Sequence, residues 1–268
     1  MRLSSNRQRE LWSLLILVVV AVLAIATNSL LLPVLVALFV LLVMLNAQVK
    51  YFRQMKETLG KVRSESQAVP AMYTFLQPNR LLPEFGPFTL SARKTTGLME
   101  LVLDEKPGMI VELGSGVSTL ISAYCLKKNG KGKLISFEHE AQFAEYTEEN
   151  IRNHGLSGYV EVIHAPLVDV EIDGHVYQWY QIDPGKIKDN IDLLFIDGPV
   201  GREQKNARYP ALPVLRDKLN PGAVILLDDA NRKDEKAIRK MWLQENPGMK
   251  EYKGFFREDM FAARMAGK

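Results

Sequence analysis

The chain has 268 residues, with 34 Lys and Arg against 31 Asp and Glu and a formal charge of +3, a balance that excludes a nucleic-acid-binding surface built on charge alone. That length accommodates one or two domains. The single cysteine, Cys125, excludes an intrachain disulfide framework and agrees with a reducing compartment. Its place in the apolar run Leu120–Leu126 suits a small buried hydrophobe rather than a nucleophile.

The basic excess is concentrated at the start. Up to Arg63, the cations Arg2, Arg7, Arg9, Lys50, Arg53, Lys56, Lys61 and Arg63 face only Glu10 and Glu57, and the remainder is slightly acidic. Between these groups, Leu11–Leu45 carries no charge. As one helix it would be roughly 50 Å long at about 1.5 Å per residue, well over a hydrocarbon core of about 30 Å. Thr27-Asn28-Ser29 interrupts the run and Pro33 follows, so two short spans are expected, about Leu11–Thr27 and Leu30–Leu45, joined by a tight turn. Each is near the lower limit of spanning length, and a re-entrant wedge is the alternative. Basic residues flank the pair and the turn has none, which places both ends in the cytoplasm. Ala24-Ile25-Ala26 resembles a signal-peptide cleavage site, but the second apolar run directly after it argues for an anchor.

Val49–Glu65 is polar, basic and helical in pattern, fit for a solvated linker or for contact with anionic headgroups at about 1 kcal/mol per basic residue. Ala68–Ser91 contains Pro70, Pro78, Pro83 and Pro87 and is expected to be an irregular connection outside the core.

Beyond Ala92, strands and helices alternate. Helix Thr95–Asp104 precedes strand Met109–Leu113, an apolar run bounded by Pro107-Gly108 and Gly114. Helix Thr119–Lys128, strand Lys133–Glu138, helix Ala141–His154 and strand Tyr159–His164 follow. Then come strand Ile191–Ile196, helix Pro210–Lys218, strand Ala223–Leu227 and helix Lys233–Glu245, with a terminal strand pair near Lys250–Phe255 and Met260–Arg264. Unbroken apolar strands separated by helices imply a mostly parallel, doubly wound α/β sheet covered on both faces. No repeats or low-complexity tracts occur. Ligands of such sheets bind beyond the carboxyl ends of the strands, so the residues there carry the chemistry.

After the first of these strands stands Glu112-Leu-Gly114-Ser115-Gly116-Val-Ser118-Thr119, where glycines allow a sharp turn and close ligand approach. Glu138, 22 residues beyond Gly116, ends the second and is placed to accept hydrogen bonds from ribose hydroxyls. Thr119 stands where a dinucleotide fingerprint requires its last glycine, which disfavours a nicotinamide cofactor. The later strands end in Leu193-Leu-Phe-Ile-Asp197-Gly198-Pro199 and Val224-Ile-Leu-Leu-Asp228-Asp229-Ala230-Asn231, with Ala207–Leu212 and Leu219–Gly222 between them.

From Leu90 to Trp242 this series resembles the class I S-adenosylmethionine-dependent methyltransferases, in particular the methyltransferase 24-like group and small O-methyltransferases; the apolar N-terminal segment lies outside the resemblance. The resemblance implies a Rossmann-like sheet of about seven strands. It implies S-adenosylmethionine held by Glu112, Gly114, Ser115, Gly116, Ser118, Glu138, His139, Ala165 and Asp197, with Ser118 replacing the family's usual third glycine. Catechol-type relatives hold a divalent metal such as Mg²⁺ at positions matching Asp197, Asp228 and Asp229, although Asp229 stands where they carry Asn. The metal-free alternative makes Asp197 or Asp228 a general base or orienting group, and helix or turn capping is the purely structural one.

Arg202, Lys205 and Arg208 form either a solvated loop or a grip on an anionic substrate. His164 is a candidate adenosine contact, whereas His154 and His175 have surface character. No zinc spacing or Gly-x-Ser-x-Gly elbow occurs. The expected protein is thus a methyltransferase acting on a small or lipid- or glycan-linked acceptor. It would be anchored in a bacterial inner (cytoplasmic) membrane with its catalytic domain in the cytosol and no nucleic-acid partner. A non-catalytic S-adenosylmethionine-binding scaffold and an NAD-dependent reductase or epimerase are the rival functions.

Overall fold

The structure, a computed structural model, describes residues 31–86, 89–188, 190–201, 204–252 and 259–267, together with Val19, Val22 and Ile25. Apart from those three positions, the first expected span and its turn lie outside the described residues. The chain divides into two compact units, Met1–Arg63 and Ser64–Lys268.

Helix α1, Leu31–Leu76, begins in the first unit. Pro33 is tolerated there because the N–H groups of a first helical turn have no intrahelical partner. Leu35, Leu38, Leu41, Leu42 and Leu45 are exposed. Among the described residues, α1 is the helix long and apolar enough to cross a membrane. Its 46 residues amount to roughly 70 Å, more than twice a hydrocarbon core. The apolar half therefore suffices for a span, and the part from Lys50 onward is surplus to it.

In the second unit α1 continues to Leu76 through Pro70, so the expectation of an irregular connection from Ala68 is corrected. A proline inside a helix costs about 3 kcal/mol. Here Ala68, Met72 and Leu76, spaced four apart on one helix face, are all buried in the core. Burying the two large side chains at about 1.5–3 kcal/mol each offsets the proline. The segment beyond is not outside the core either. Leu82 and Leu90 are buried, and the Leu82 N–H donates to Tyr73 Oη at 3.0 Å.

Most of the remaining elements fall where the apolar runs placed them. They are α2 (Ala92–Glu105), β1 (Met109–Leu113), α3 (Val117–Asn129), β2 (Lys133–Glu138), α4 (Ala141–Asn153) and β3 (Val160–His164). A hairpin, β4 (Leu167–Ile172) and β5 (His175–Tyr180), precedes β6 (Ile191–Ile196), α5 (Ala211–Leu215), β7 (Leu219–Leu227), α6 (Lys233–Glu245), β8 (Lys250–Glu251) and β9 (Phe261–Arg264). Seven strands form one sheet in the order β3-β2-β1-β6-β7-β9-β8. The first five run parallel, while β9 is antiparallel to both β7 and β8. This is the expected doubly wound, mostly parallel sheet. Its order reverses between β1 and β6, so the crevice for a ligand lies beyond their carboxyl ends.

Side chains alternate across the sheet. Ile110 of β1 belongs to the core under α2, α3 and the end of α1, whereas Met109, Val111 and Leu113 belong to the opposite core with α5 and α6. The β4–β5 hairpin was not expected. Asp173 and Gly174, with φ of 50° and 75°, make its two-residue turn, a left-handed pair for which Asp-Gly is a favoured sequence. The hairpin stands where a crossover helix would run between β3 and β6, and it buries Trp179 and Tyr180 in the second core.

His154, expected on the surface, is only 2% exposed, with Nδ1 at 2.7 Å from Tyr124 Oη. Burial, then the nearby Arg80 charge, lowers its pKa. His175 is exposed and Cys125 buried, both as expected.

Met72 is fully buried and Leu81 is 84% exposed. Met72→Ala is expected to destabilise by about 2–5 kcal/mol and Leu81→Ala by less than about 0.5 kcal/mol. Thermal unfolding of the full chain checks this, and equal effects would remove the end of α1 from the core.

Candidate active site

Two turns meet at the point of reversal. The N–H groups of Asp197 and Gly198 donate to Leu113 O at 2.9 and 2.7 Å, and Gly114 N–H donates to Phe137 O at 2.9 Å. Gly114 has φ of 95°, and a Cβ there would lie 3.0 Å from the Gly198 nitrogen. Only glycine suits that position. Gly198 is equally constrained, because the Tyr180 hydroxyl occupies the space a Cβ would need. A Cβ on Gly116 would meet nothing within 4 Å, so that side of the loop opens onto free space.

Glu112 organises the loop from below. It is 1% exposed and accepts from Ser118 Oγ at 2.6 Å, Ser136 Oγ at 2.7 Å and the Thr119 hydroxyl. Gly116 N–H donates to Thr119 Oγ1 at 2.9 Å, which links the loop backbone to the buried acid through one hydroxyl. The two departures from glycine, Ser118 and Thr119, thereby acquire a reason: their hydroxyls satisfy a carboxylate that burial would otherwise leave stranded. Burial raises the Glu112 pKa to about 7, against the lowering effect of the three hydroxyls. Glu112 and Ser118 thus support the loop from within.

Glu138 is 4% exposed at the carboxyl end of β2. Its oxygens take Ser115 N–H at 2.9 Å, Glu140 N–H at 3.0 Å and His139 Nδ1 at 2.9 Å. Burial acts to raise its pKa, but these donors outweigh burial and hold the carboxyl below its ordinary value. Ser115 Oγ donates to Thr147 at 3.0 Å, and Ala165, buried after β3, donates its N–H to Glu138 O at 2.7 Å. The expected cofactor residues on β1, β2 and β3 are therefore brought together at one sheet edge. His164 is exposed, with Nε2 at 3.2 Å from His139 O.

The carboxylates of Asp197, Asp228 and Asp229 also converge, with oxygens within 4.8 Å of one another. They are already matched by cations, Lys94 and Arg208. Lys94 Nζ, from the first turn of α2, is 2.6 Å from Asp228 Oδ1 and 3.7 Å from both Asp229 Oδ1 and Asp259 Oδ2. Arg208 is 3% exposed, so it is not part of a solvated loop. Its guanidinium lies 3.4 Å from both Asp197 Oδ1 and Asp229 Oδ2 and donates to Asp228 O at 2.9 Å. Lys205 is exposed, and Arg202 lies outside the described residues. Asn231 is exposed, its N–H donating to Asp259 Oδ1 at 2.8 Å. Burial and then the Asp228 charge raise the Asp197 pKa against the pull of Arg208; burial raises that of Asp228 against Lys94.

The donor set alone would suit a hard divalent cation. As held here it does not: Lys94 and Arg208 already occupy the approaches to all three acids, and an added ion would meet two cations at contact distance.

Lys94 had one legible signal. Arg93 and Lys94 fall in the first turn of a helix capped by Ser91, where the macrodipole disfavours cations, and a misplaced charge of that kind implies a partner.

Residues 111–230 match a family profile described as a methyltransferase domain. Over that stretch, a little under half of its length, the chain is similar to the class I S-adenosylmethionine-dependent methyltransferase family. Among curated relatives of this family, the protein-L-isoaspartate O-methyltransferase of Pyrobaculum islandicum is 30% identical over 115 residues, 42% of this chain and 55% of that protein. The probable cobalt-precorrin-6B C(15)-methyltransferase of Sulfolobus acidocaldarius is 27% identical over 118 residues, 44% of this chain and 51% of that one. The chain spans about half the length of the curated relatives it matches. An SAH-bound methyltransferase from Podospora anserina shares the class I methyltransferase fold, with a TM-score of 0.52 at 16% identity over 74% of this chain and 87% of that one.

Because Glu112 has a folded pKa near 7 against an ordinary 4.5, the folded chain holds its proton more tightly than the unfolded chain. Its contribution is complete below about pH 4.5 and is lost as pH rises through about 7. Chemical denaturation of the full chain should show stability falling over that window, and Glu112→Gln should flatten the fall. An unchanged slope in the variant would remove Glu112 as its source.

Proposed function

We propose that the chain transfers a methyl group from S-adenosylmethionine to the oxygen of a small or lipid- or glycan-linked acceptor, at the cytosolic face of a bacterial inner membrane. The observation that carries this reading is the pairing of the Gly114–Gly116 turn with a fixed, buried Glu138 carboxylate at the switch point. With three donors placed, two on Oε1 and one on Oε2, one of its four lone-pair sites remains on Oε2 for a ribose hydroxyl. Ser115, Gly116, His139 and Ala165 border the same edge, while Glu112 and Ser118 keep the loop in place beneath it.

The transfer is an in-line displacement. The bond from methyl carbon to sulfonium sulfur breaks, a bond to the acceptor oxygen forms, and the hydroxyl proton passes to a base. Asp197 is that base in this reading: its carboxyl is raised by burial and by Asp228, toward the range in which a carboxylate accepts a proton at neutral pH. Arg208, on both Asp197 and Asp229, fixes its orientation. Positioning and exclusion of water supply the rest of the acceleration. Of the curated relatives, one name specifies oxygen as acceptor and another carbon. Oxygen is favoured here by the carboxylates at the strand ends, since a hydroxyl has a proton to give up. The divalent ion implied by catechol-type relatives has no step in this scheme.

Membrane attachment is supported by the exposed apolar half of α1 and by the uncharged run before it, with Lys50, Arg53, Lys56 and Arg63 following at headgroup level. The full chain is expected to remain in the membrane pellet through alkaline carbonate washing and to be released when residues 1–48 are deleted. Retention of the shortened chain would sink the anchor.

Calorimetry on the full chain in detergent should show binding of S-adenosylmethionine and S-adenosylhomocysteine but not NAD. Glu138→Ala should weaken it by roughly 10- to 100-fold, the worth of hydrogen bonds to a charged acceptor. Binding of NAD alone, or of none of the three by folded protein, would overturn the proposal.

A further inference from the structure

We propose that Lys94 stands in for the divalent cation of the catechol-type site: its ammonium, with the Arg208 guanidinium, is the fixed positive charge among the strand-end carboxylates, and the chain binds no metal ion there. Four observations lead to this.

Lys94 Nζ is shared by carboxylates from separate points of the chain: Asp228 and Asp229 after β7, and Asp259 before β9. One cation among three carboxylates is the arrangement a metal would adopt, here with Asp228 at hydrogen-bond distance and Asp229 and Asp259 at 3.7 Å, rather than all at the 2.0–2.1 Å or so of Mg²⁺. Lysine suits it because its ammonium is a compact point charge with three rotatable donors, whereas the flat Arg208 fork bridges Asp197 and Asp229.

Lys94 is also held where it is. Its side chain is 17% exposed. The start of α2 is fixed by Ser91 Oγ, which accepts Lys94 N–H at 3.2 Å, and by Glu65 Oε2, which accepts Ala92 N–H at 2.6 Å. The far end of α2 is tied through Glu105 to Arg264 at 2.5 Å and to Tyr252 Oη at 3.2 Å. A lysine on so constrained a helix does not simply drift from its partners.

Fixed counter-charge is also in place. Lys94 and Arg208 lie within 4 Å of Asp197, Asp228 and Asp229, and Arg232 Nη1 is 2.9 Å from Asp229 Oδ2. A divalent ion entering the cluster would face these cations at close range. Finally, Lys94 lies in a helix first turn against the macrodipole, a cost that only acidic partners recover. Lys94 acts here as a positioning residue: it holds Asp228 and Asp229 in place beside the proposed base.

The functional meaning rests on the methyltransferase reading, but the test does not. Full-length protein in detergent, stripped with chelator, is titrated with Mn²⁺ by calorimetry and by electron paramagnetic resonance, and S-adenosylmethionine binding is measured on the same samples. Wild type should show no saturable Mn²⁺ site. Lys94→Met, which removes the charge and keeps the apolar stem, should gain one site at least roughly tenfold tighter than any residual wild-type uptake. Adding Asp228→Asn should abolish it. The inference is overturned if wild type binds Mn²⁺ stoichiometrically and loses it in Asp228→Asn, or if folded Lys94→Met takes up none. Should Lys94→Met fail to fold, wild type against Asp228→Asn decides alone. Loss of S-adenosylmethionine binding with the expected Mn²⁺ results would fail the functional reading and leave the role of Lys94 intact.

Discussion

Glu112 places a carboxylate in the interior at the end of β1, and the approach to the crevice is arranged around making that tolerable. An isolated buried charge costs far more than a domain can spare. Here three hydroxyls, from the start of α3 and from β2, converge on it. In doing so they fix the helix start, the neighbouring strand and the Gly114–Gly116 turn relative to one another. The turn can then be rigid without side chains of its own. Glu138 completes the arrangement by accepting the Ser115 N–H from the adjacent strand end.

The second half of the crevice follows a different principle. The acids after β6 and β7 are balanced by long cationic side chains that arrive from elsewhere: Lys94, 134 residues before Asp228, and Arg208 from the segment between the two strands. Removing one member of such a cluster leaves the others buried and uncompensated, which is commonly costlier than the pair was worth. Stability and site geometry are therefore coupled in this region, and variants here need a binding measurement beside an activity measurement.

Much of this is legible in the sequence alone. Unbroken apolar runs bounded by glycine and proline located β1, β2 and β6, since a parallel strand buried on both faces leaves little else to write. The acids at the strand ends were legible for the same reason: a carboxylate directly after such a run lies at the sheet edge. What the sequence does not reveal depends on tertiary contacts. Pro70 reads as a helix breaker until Met72 and Leu76 are seen to be buried. His154 reads as polar surface until Tyr124 meets it. Arg208 reads as part of a solvated loop, and nothing local distinguishes it from Lys205, which is exposed. The hairpin is different, because Asp173-Gly174 between alternating residues is a local signal of its turn.

The position of β9 has a consequence for how the protein is made. This strand lies between β7 and β8 and pairs along Val224–Leu227, so the edge of β7 stays unpaired until residues 261–264 have been synthesised. The same late segment brings Arg264 to Glu105 on the helix that carries Lys94, and Asp259 to the ammonium itself. Nascent chains fold by units as they emerge. The nucleoside side of the crevice, built from β1, β2 and β3, can be assembled while the ribosome is still at work. The acid-bearing side has to wait for the last strand. During that interval the growing polypeptide carries an open sheet edge, and the helix that bears Lys94 lacks its tie to Arg264.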